Sequence, residues 1–201
     1  SDGSVYITDS QIINNKGYGI YSNNDYDNWT IMGNTITGSS SYGIRLDDSN
    51  DVNVSGNVIS NNNSYGVYQY RTRGDFVLSN NTIENHRDGV LYFYNPYDST
   101  SSYSTDSILV ADNVITGGGY MYGNAAIYIY DNGTADAIVS GNTIDGFGSG
   151  GIYVSNGSSN VQPVISDNTV TNTDGTGIGT SGKVVPTLLG NILDGNAYGI
   201  S

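Results

Sequence analysis

The densest group of titratable side chains in the chain is the run Glu84-Asn85-His86-Arg87-Asp88. His86 is the single histidine, and histidine is the natural proton carrier near neutrality. General acid–base catalysis is the chemistry these residue types could perform. A histidine in a polar turn is more commonly a solvated turn residue, so His86 is a weak catalytic candidate. Asp47 and Asp48 form the one Asp-Asp pair and are the other weak candidates, because glycoside cleavage needs two carboxylates about 5 to 10 Å apart across a sugar. Together with Asp51 and Asp75 they also offer oxygen ligands that suit Ca2+. No EF-hand loop and no Gly-Gly-x-Gly-x-Asp repeat is present. No metal site is assigned, and calcium is the one cofactor left open.

Composition narrows the field further. The chain has 201 residues, net charge −13, 28 glycines, 18 tyrosines and no cysteine. Disulfides, thiolate zinc sites and thiol catalysis are excluded. The acidic balance argues against nucleic-acid binding by phosphate neutralisation and suits an extracellular or cell-surface protein. No apolar run approaches the length of a membrane span. The opening SDGSVYITDS has neither an initiator Met nor a signal peptide, so a processed or excised segment is expected.

Whatever chemistry these side chains perform must be positioned by a repeat. The phrase Gly/Asp-Asn-x-Ile/Val occurs at Gly33-Asn34, Gly56-Asn57, Asp112-Asn113, Gly141-Asn142 and Asp167-Asn168, with variants at Asn80-Asn81 and Gly190-Asn191 and a degenerate first copy at Asp9-Ser10. A second phrase follows each copy: Gly19-Ile20, Gly43-Ile44, Gly66-Val67, Gly89-Val90, Ala126-Ile127, Gly151-Ile152, Gly177-Ile178 and Gly199-Ile200. A third apolar segment precedes each Asn, as in Val5-Tyr6-Ile7 and Ile108-Leu109-Val110. Three short strands per turn of roughly 23 residues predict coils of a three-sheet parallel β-helix, stacked about 4.8 Å apart. The predicted architecture is all-β, one domain over residues 1–201, with about eight coils. Stacked corner Asn residues are expected to form an amide ladder. The glycine opening each third strand is expected to serve either a positive φ or a close backbone approach.

With that repeat, the chain resembles the right-handed parallel β-helix family, which includes pectate lyases, polygalacturonases, mannuronan epimerases and many surface proteins. The resemblance covers the whole chain and implies the fold; one such fold hosts many activities. Polygalacturonases carry signatures resembling Asn-Thr-Asp, Asp-Asp and Gly-His-Gly; here only Asp47-Asp48 and the Asn-His-Arg-Asp around His86 stand near that pattern. The Asp-Pro-His of the epimerases is absent. Pectate lyases use a basic residue beside acidic calcium ligands; Arg45, Arg71 and Arg73 lie near Asp47, Asp48, Asp51 and Asp75 in no matching order.

The repeat is interrupted at 91–107 and 117–124, both rich in Tyr, which are candidate binding-lip loops. The outward positions after each Gly-Ile read Tyr21, Arg45, Tyr68, Leu91, Tyr128 and Tyr153, with Tyr70, Phe93 and Tyr130 two residues on. Exposed aromatic faces stack on sugars and arginines pair with carboxylates or sulfates. Tyr68, Tyr70, Arg45, Arg71, Arg73, Tyr128 and Tyr153 are therefore the ligand-binding candidates for a polysaccharide, an anionic one included; cross-strand stabilisation is the competing reading. Six sequons match, about as many as composition supplies by chance; Asn132 and Asn156 are the best exposed candidates for a glycoprotein site. No cap is recognisable near Val5 or Ile200, which makes these the candidate ends for head-to-tail self-association into filaments. The leading expectation is a non-catalytic extracellular structural or adhesive module. A carbohydrate-binding module and a polysaccharide lyase, hydrolase or epimerase relative remain as alternatives.

Overall fold

The computed structural model describes residues 3–23, 26–96, 105–118 and 125–201. Among them, twenty-four strands run from Ser4–Thr8 to Tyr198–Ile200, without a helix. They form three sheets of eight, each sheet taking every third strand. All pairings are parallel, as in Ser4–Thr8 on Asn28–Met32 or Gln11–Ile13 on Thr35–Thr37. Each coil thus adds one strand to each sheet, and eight coils make the solenoid. The first, second and third sheets open with Ser4–Thr8, Gln11–Ile13 and Ile20–Asn23. Residues 97–104 of the first interrupting segment and 119–124 of the second lie outside the described residues.

Alternation builds the core. In the second sheet Ile12, Ile36, Ile59, Ile83, Ile115 and Ile144 stand in one register, and all but Ile12 are fully buried. The third-sheet strand Ile127–Asp131 alternates buried and half-buried residues, with Ile127 and Ile129 inward. Burying such a side chain contributes about 1.5 to 3 kcal/mol, and every coil repeats the gain.

The corner between the first and second sheets carries the expected ladder. Asn113 shows one rung: its Nδ2 donates to the Leu78 carbonyl at 3.0 Å and to Asn142 Oδ1 at 2.9 Å, and its backbone N–H donates to the same Oδ1 at 3.0 Å. Its own Oδ1 accepts from the N–H and the Nδ2 of Asn81, both at 3.0 Å. The pattern runs through Asn34, Asn57, Asn81, Asn113, Asn142, Asn168 and Asn191. In coil 1 Ser10 takes the corner; its backbone N–H donates to Asn34 Oδ1, while its hydroxyl turns back to the Thr8 carbonyl. The residue before each of these corner positions has a left-handed φ: Gly33 at 68°, Gly141 at 65°, Asp112 and Asp167 at 56°. Gly, Asp and Asn tolerate that region best, which explains why the phrase opens with one of them.

The glycine of the third strand answers a different need. Gly43 has no positive φ, but a Cβ there would stand 2.7 Å from the Gly66 carbonyl and 2.9 Å from an Ile59 methyl. Close approach, not a positive φ, is the cause at Gly43; Ala126 has no positive φ either and stands fully buried in its own coil. One assignment needs correction. Gly89 stands opposite Tyr65, and Leu91 opposite Val67, so Val90 rather than Gly89 occupies the glycine column. The shift of one residue turns Leu91 and Phe93 into the core, both fully buried, and turns Tyr92 and Tyr94 outward. The phase was countable: Gly19, Gly43, Gly66 and Val90 each lie four residues after the second corner at Asn15, Ser39, Asn62 and His86.

At the two ends of the described solenoid, Val5 is half-buried and Ile200 is 62% exposed.

Asn113→Ala strips one rung of its side-chain donor and acceptor, so Leu78 O and the Asn81 N–H lose a partner and Asn81 Nδ2 keeps only Val54 O, which should cost on the order of 3 kcal/mol. Asn63→Ala, on the exposed side of a coil, should stay within about 0.5 kcal/mol. Urea unfolding of the two variants checks the contrast.

Candidate functional site

Outward from the third sheet, tyrosines form one continuous surface. The register aligns Tyr21, Arg45, Tyr68, Tyr92, Tyr128 and Tyr153 in a main column. Tyr70, Tyr94 and Tyr130 align beside it. A third row, Tyr18, Tyr42 and Tyr65, lies just before or at the start of the strands. Eleven of the 18 tyrosines meet here.

The rings lie on one another rather than face out. Tyr68–Tyr92, Tyr92–Tyr128 and Tyr128–Tyr153 have centroids 5.3, 5.0 and 5.5 Å apart with interplanar angles of 5, 9 and 6°. The flanking Tyr70–Tyr94 and Tyr94–Tyr130 pairs lie at 5.9 and 5.0 Å. Two glycines close the rows. A Cβ on Gly89 would meet the Tyr65 ring at 2.7 Å, and one on Gly179 the Tyr153 ring at 2.9 Å, so each terminal ring leans over a residue without a side chain. Ring faces are therefore occupied by neighbouring rings, and the surface presents edges and hydroxyls. This corrects the expectation that Tyr68, Tyr128 and Tyr153 offer stacking faces to sugars. Burial holds the phenols of Tyr68 and Tyr128 up at about 12 and raises that of Tyr92, so the hydroxyls stay protonated donors at neutral pH.

The arginines do not make this surface cationic. Arg45 donates its Nε to Asp47 Oδ2 at 3.0 Å and its Nη2 at 2.9 Å. Its guanidinium carbon lies 5.1 to 6.0 Å from the ring centroids of Tyr18, Tyr21, Tyr42 and Tyr68. Burial works against the charged form of Arg45, and the Asp47 carboxylate outweighs it, leaving the pKa raised. Arg71 grips Asp48 through Nε at 2.8 Å and Nη2 at 3.0 Å and lies 4.5 Å from the Tyr70 ring. Arg73 covers Tyr26 at 4.3 Å. Arg45, Arg71 and Arg87 thus each carry their own carboxylate, which removes the simple charge argument for an anionic polymer.

The three weak catalytic candidates, Asp47, Asp48 and His86, are all enclosed. Asp47 and Asp48 are buried and ion-paired. His86 is 1% exposed. Its Nε2 lies 3.2 Å from the Ile59 carbonyl, as Asn62 Nδ2 lies 3.4 Å from Ile36 O and Asn196 Nδ2 2.8 Å from Val170 O. His86 is a rung of a second corner ladder, standing in for Asn. Burial drives its pKa down to about 4, with the Ile59 bond opposing, so it is neutral in the fold. Asn156 is also buried, with Oδ1 accepting from the Ser158 and Ser159 N–H groups, and is not the exposed acceptor its turn suggested. Asn132 is half-buried, its amide donating to the Tyr130 hydroxyl at 2.8 Å.

A group that sequence reasoning missed lies beside it. Asp131, 3% exposed, accepts from Asn95 Nδ2 at 3.0 Å, and Asn95 Nδ2 also donates to Thr105 Oγ1 at 2.7 Å. Burial pushes Asp131 up to about 6, against its bonds to Gly133, Asn95 and Ala135. Its signal was the outward-inward count of the third sheet, which places residue 131 inward after Tyr130.

Two family models match this chain. One, described as periplasmic copper-binding protein (NosD), matches residues 1–101; the other, described as right handed beta helix region, matches residues 92–201. The chain belongs to the right-handed β-helix family. Its first half also falls within the NosD family. No curated protein matches the chain. Among solved structures, an alginate lyase from Paenibacillus sp. str. FPU-7 is similar, with a TM-score of 0.48 and 18% identity over 94% of this chain and 79% of that one; this is a likeness of fold and carries no argument about activity.

Copper favours imidazole and sulfur donors. This β-helix has no cysteine and one histidine, and that histidine is enclosed with Nε2 engaged. Of the methionines, Met32 is the one among the described residues and stands 47% exposed. Among the described residues no three His, Cys, Asp or Glu side chains converge. The donors described do not fit a copper centre.

Two opposite pH effects follow. The unfolded chain binds the His86 proton near 6.5 and the fold only near 4, so stability falls as pH drops through that window, by roughly 3 kcal/mol. Asp131 is raised in the fold from 3.8 to about 6, so its contribution grows as pH drops from 6 to 4. Thermal unfolding of His86→Asn between pH 4 and 6.5 should show only the second trend, and Asp131→Asn only the first.

Proposed function

We propose that this β-helix is a rigid, non-catalytic binding module that works outside the cytoplasm and adheres to a neutral, hydroxyl-rich polysaccharide along its tyrosine face. The observation that carries the proposal is the aligned row Tyr68, Tyr92, Tyr128 and Tyr153, stacked ring on ring at 5.0 to 5.5 Å. The coil repeat spaces the phenol oxygens at about one strand separation, and a phenol hydroxyl is both donor and acceptor. A polymer with regularly placed hydroxyls can pair with such a row, while half-buried ring edges supply apolar contact at low entropic cost.

The ion pairs of Arg45 and Arg71 favour a neutral polymer over an anionic one. The enclosure of His86 and the pairing of Asp47 and Asp48 support a role without turnover. The periplasmic description of the family that matches residues 1–101 supports a location outside the cytoplasm.

The triple variant Tyr68→Phe, Tyr128→Phe, Tyr153→Phe keeps the stack and removes three hydroxyls. It should keep the wild-type Tm and lose tenfold or more in affinity for insoluble neutral polysaccharides such as cellulose or chitin, at about 0.5 to 1.5 kcal/mol per hydrogen bond. Binding to alginate should be weaker than to the neutral polymers in both proteins. Unchanged neutral binding in the triple variant, or turnover of any of these polymers, overturns the proposal.

A further inference from the structure

The tyrosine face is not chemically uniform along the solenoid axis. Its early half surrounds a cation: the Arg45 guanidinium lies within 6.0 Å of the rings of Tyr18, Tyr21, Tyr42 and Tyr68. A positive charge over a ring withdraws electron density and opposes the positive charge that develops when that ring gives up an electron. Its later half has no such partner among the described contacts. Tyr92 stacks on Tyr128 at 5.0 Å and 9°, and Tyr94 on Tyr130 at 5.0 Å and 20°. These two stacked pairs are the tightest that join one coil to the next on the face, the shorter Tyr18–Tyr21 contact lying within a single coil; they lie side by side with Tyr92–Tyr94 at 5.9 Å, and all four rings are half-buried, open to small reagents at their edges.

We propose that the adjoining strands Gly89–Asn95 and Ile127–Asp131 form an oxidative modification site, in which Tyr92 couples to Tyr128, or Tyr94 to Tyr130, as an intramolecular dityrosine. The co-reactant is a one-electron oxidant, two equivalents per link. Each phenol gives one electron to the oxidant and its proton to solvent, leaving two neutral phenoxyl radicals. Their ortho carbons join in a carbon–carbon bond, and the two ortho hydrogens move to the phenoxyl oxygens as the rings regain aromaticity. The net loss is two electrons and two protons. Stacking at one coil spacing holds the two radicals together long enough to meet, and rotation about the two side-chain torsions closes the remaining gap.

The product is a covalent staple between two coils, closing a loop across the interrupted part of the repeat. It constrains the unfolded chain as a disulfide does, in a protein that has no cysteine. The inference is independent of the polysaccharide reading: it needs the stack and the oxidant, and no ligand.

The test is photo-oxidation of dilute purified protein with a ruthenium(II) trisbipyridyl and persulfate mixture, with N-acetyltyrosinamide as a coupling control. The expected result is dityrosine fluorescence in the monomer band, a Tm above that of the untreated protein, and a cross-linked pair joining the 92–94 and 128–130 segments after cleavage at aspartate. Tyr92→Phe/Tyr94→Phe should keep the wild-type Tm before oxidation and lose the monomer signal at least tenfold. Arg45→Gln should bring coupling into the Tyr42 and Tyr68 region. Links that are only intermolecular, links equally frequent around Arg45 in the wild type, or no link while the control couples, each overturn the proposal.

Discussion

An amide at one corner sets the geometry of everything else in this solenoid. Each Asn inside the ladder uses its Nδ2 on the preceding coil's carbonyl and on the next Asn, while its Oδ1 accepts from the Asn behind it; Asn57, for example, bonds Ile31 O and Asn81 Oδ1 at 2.9 and 3.0 Å. These groups are buried, where an unpaired amide is costly. The only spacing that satisfies all of them is one strand separation per coil, with no slip in register. Insertions of different length between rungs, 23 residues from Asn34 to Asn57 but 32 from Asn81 to Asn113, are absorbed elsewhere in the coil without disturbing the corner.

That spacing has a consequence on the outer surface. Side chains at one register position are held about 4.8 Å apart, close to the distance at which aromatic rings stack. Putting Tyr at the same outward position of successive coils therefore yields ring-on-ring contact, not an open aromatic platform. The face becomes a row of edges and hydroxyls, its ring planes spent on self-contact. The same constraint explains the cation within the main column: Arg45 occupies a Tyr position there, and its guanidinium is stabilised by the rings around it and by Asp47.

Much of this was legible in the residues. The three-phrase repeat named the sheets, the coil count, the inward isoleucines and the Asn ladder, because each of these depends on local pattern alone. The phase at Gly89-Val90 was misread because Gly-Val looks like the opening phrase, whereas the chain counts from the corner at His86, not from the glycine. His86 itself looked chemical because its neighbours are charged; its role as a rung depends on Ile59, 27 residues away, which no local reading reveals. The ion pairs of Arg45 with Asp47 and Arg71 with Asp48 were within reach as i to i+2 and one-coil neighbours, but their effect on ligand charge needed their geometry. The direction of the tyrosine ring planes was beyond the sequence, since outward placement and stacking share one pattern.

Native-state hydrogen exchange measures the ladder most directly. If the corner sets the geometry, the backbone N–H groups of Asn57, Asn81, Asn113 and Asn142, each donated to the next rung at 2.9 to 3.0 Å, exchange only by global unfolding and are the slowest in the protein. Exchange of these four ahead of the third-sheet amides beneath the tyrosines would place the organising constraint on the aromatic face and contradict this account.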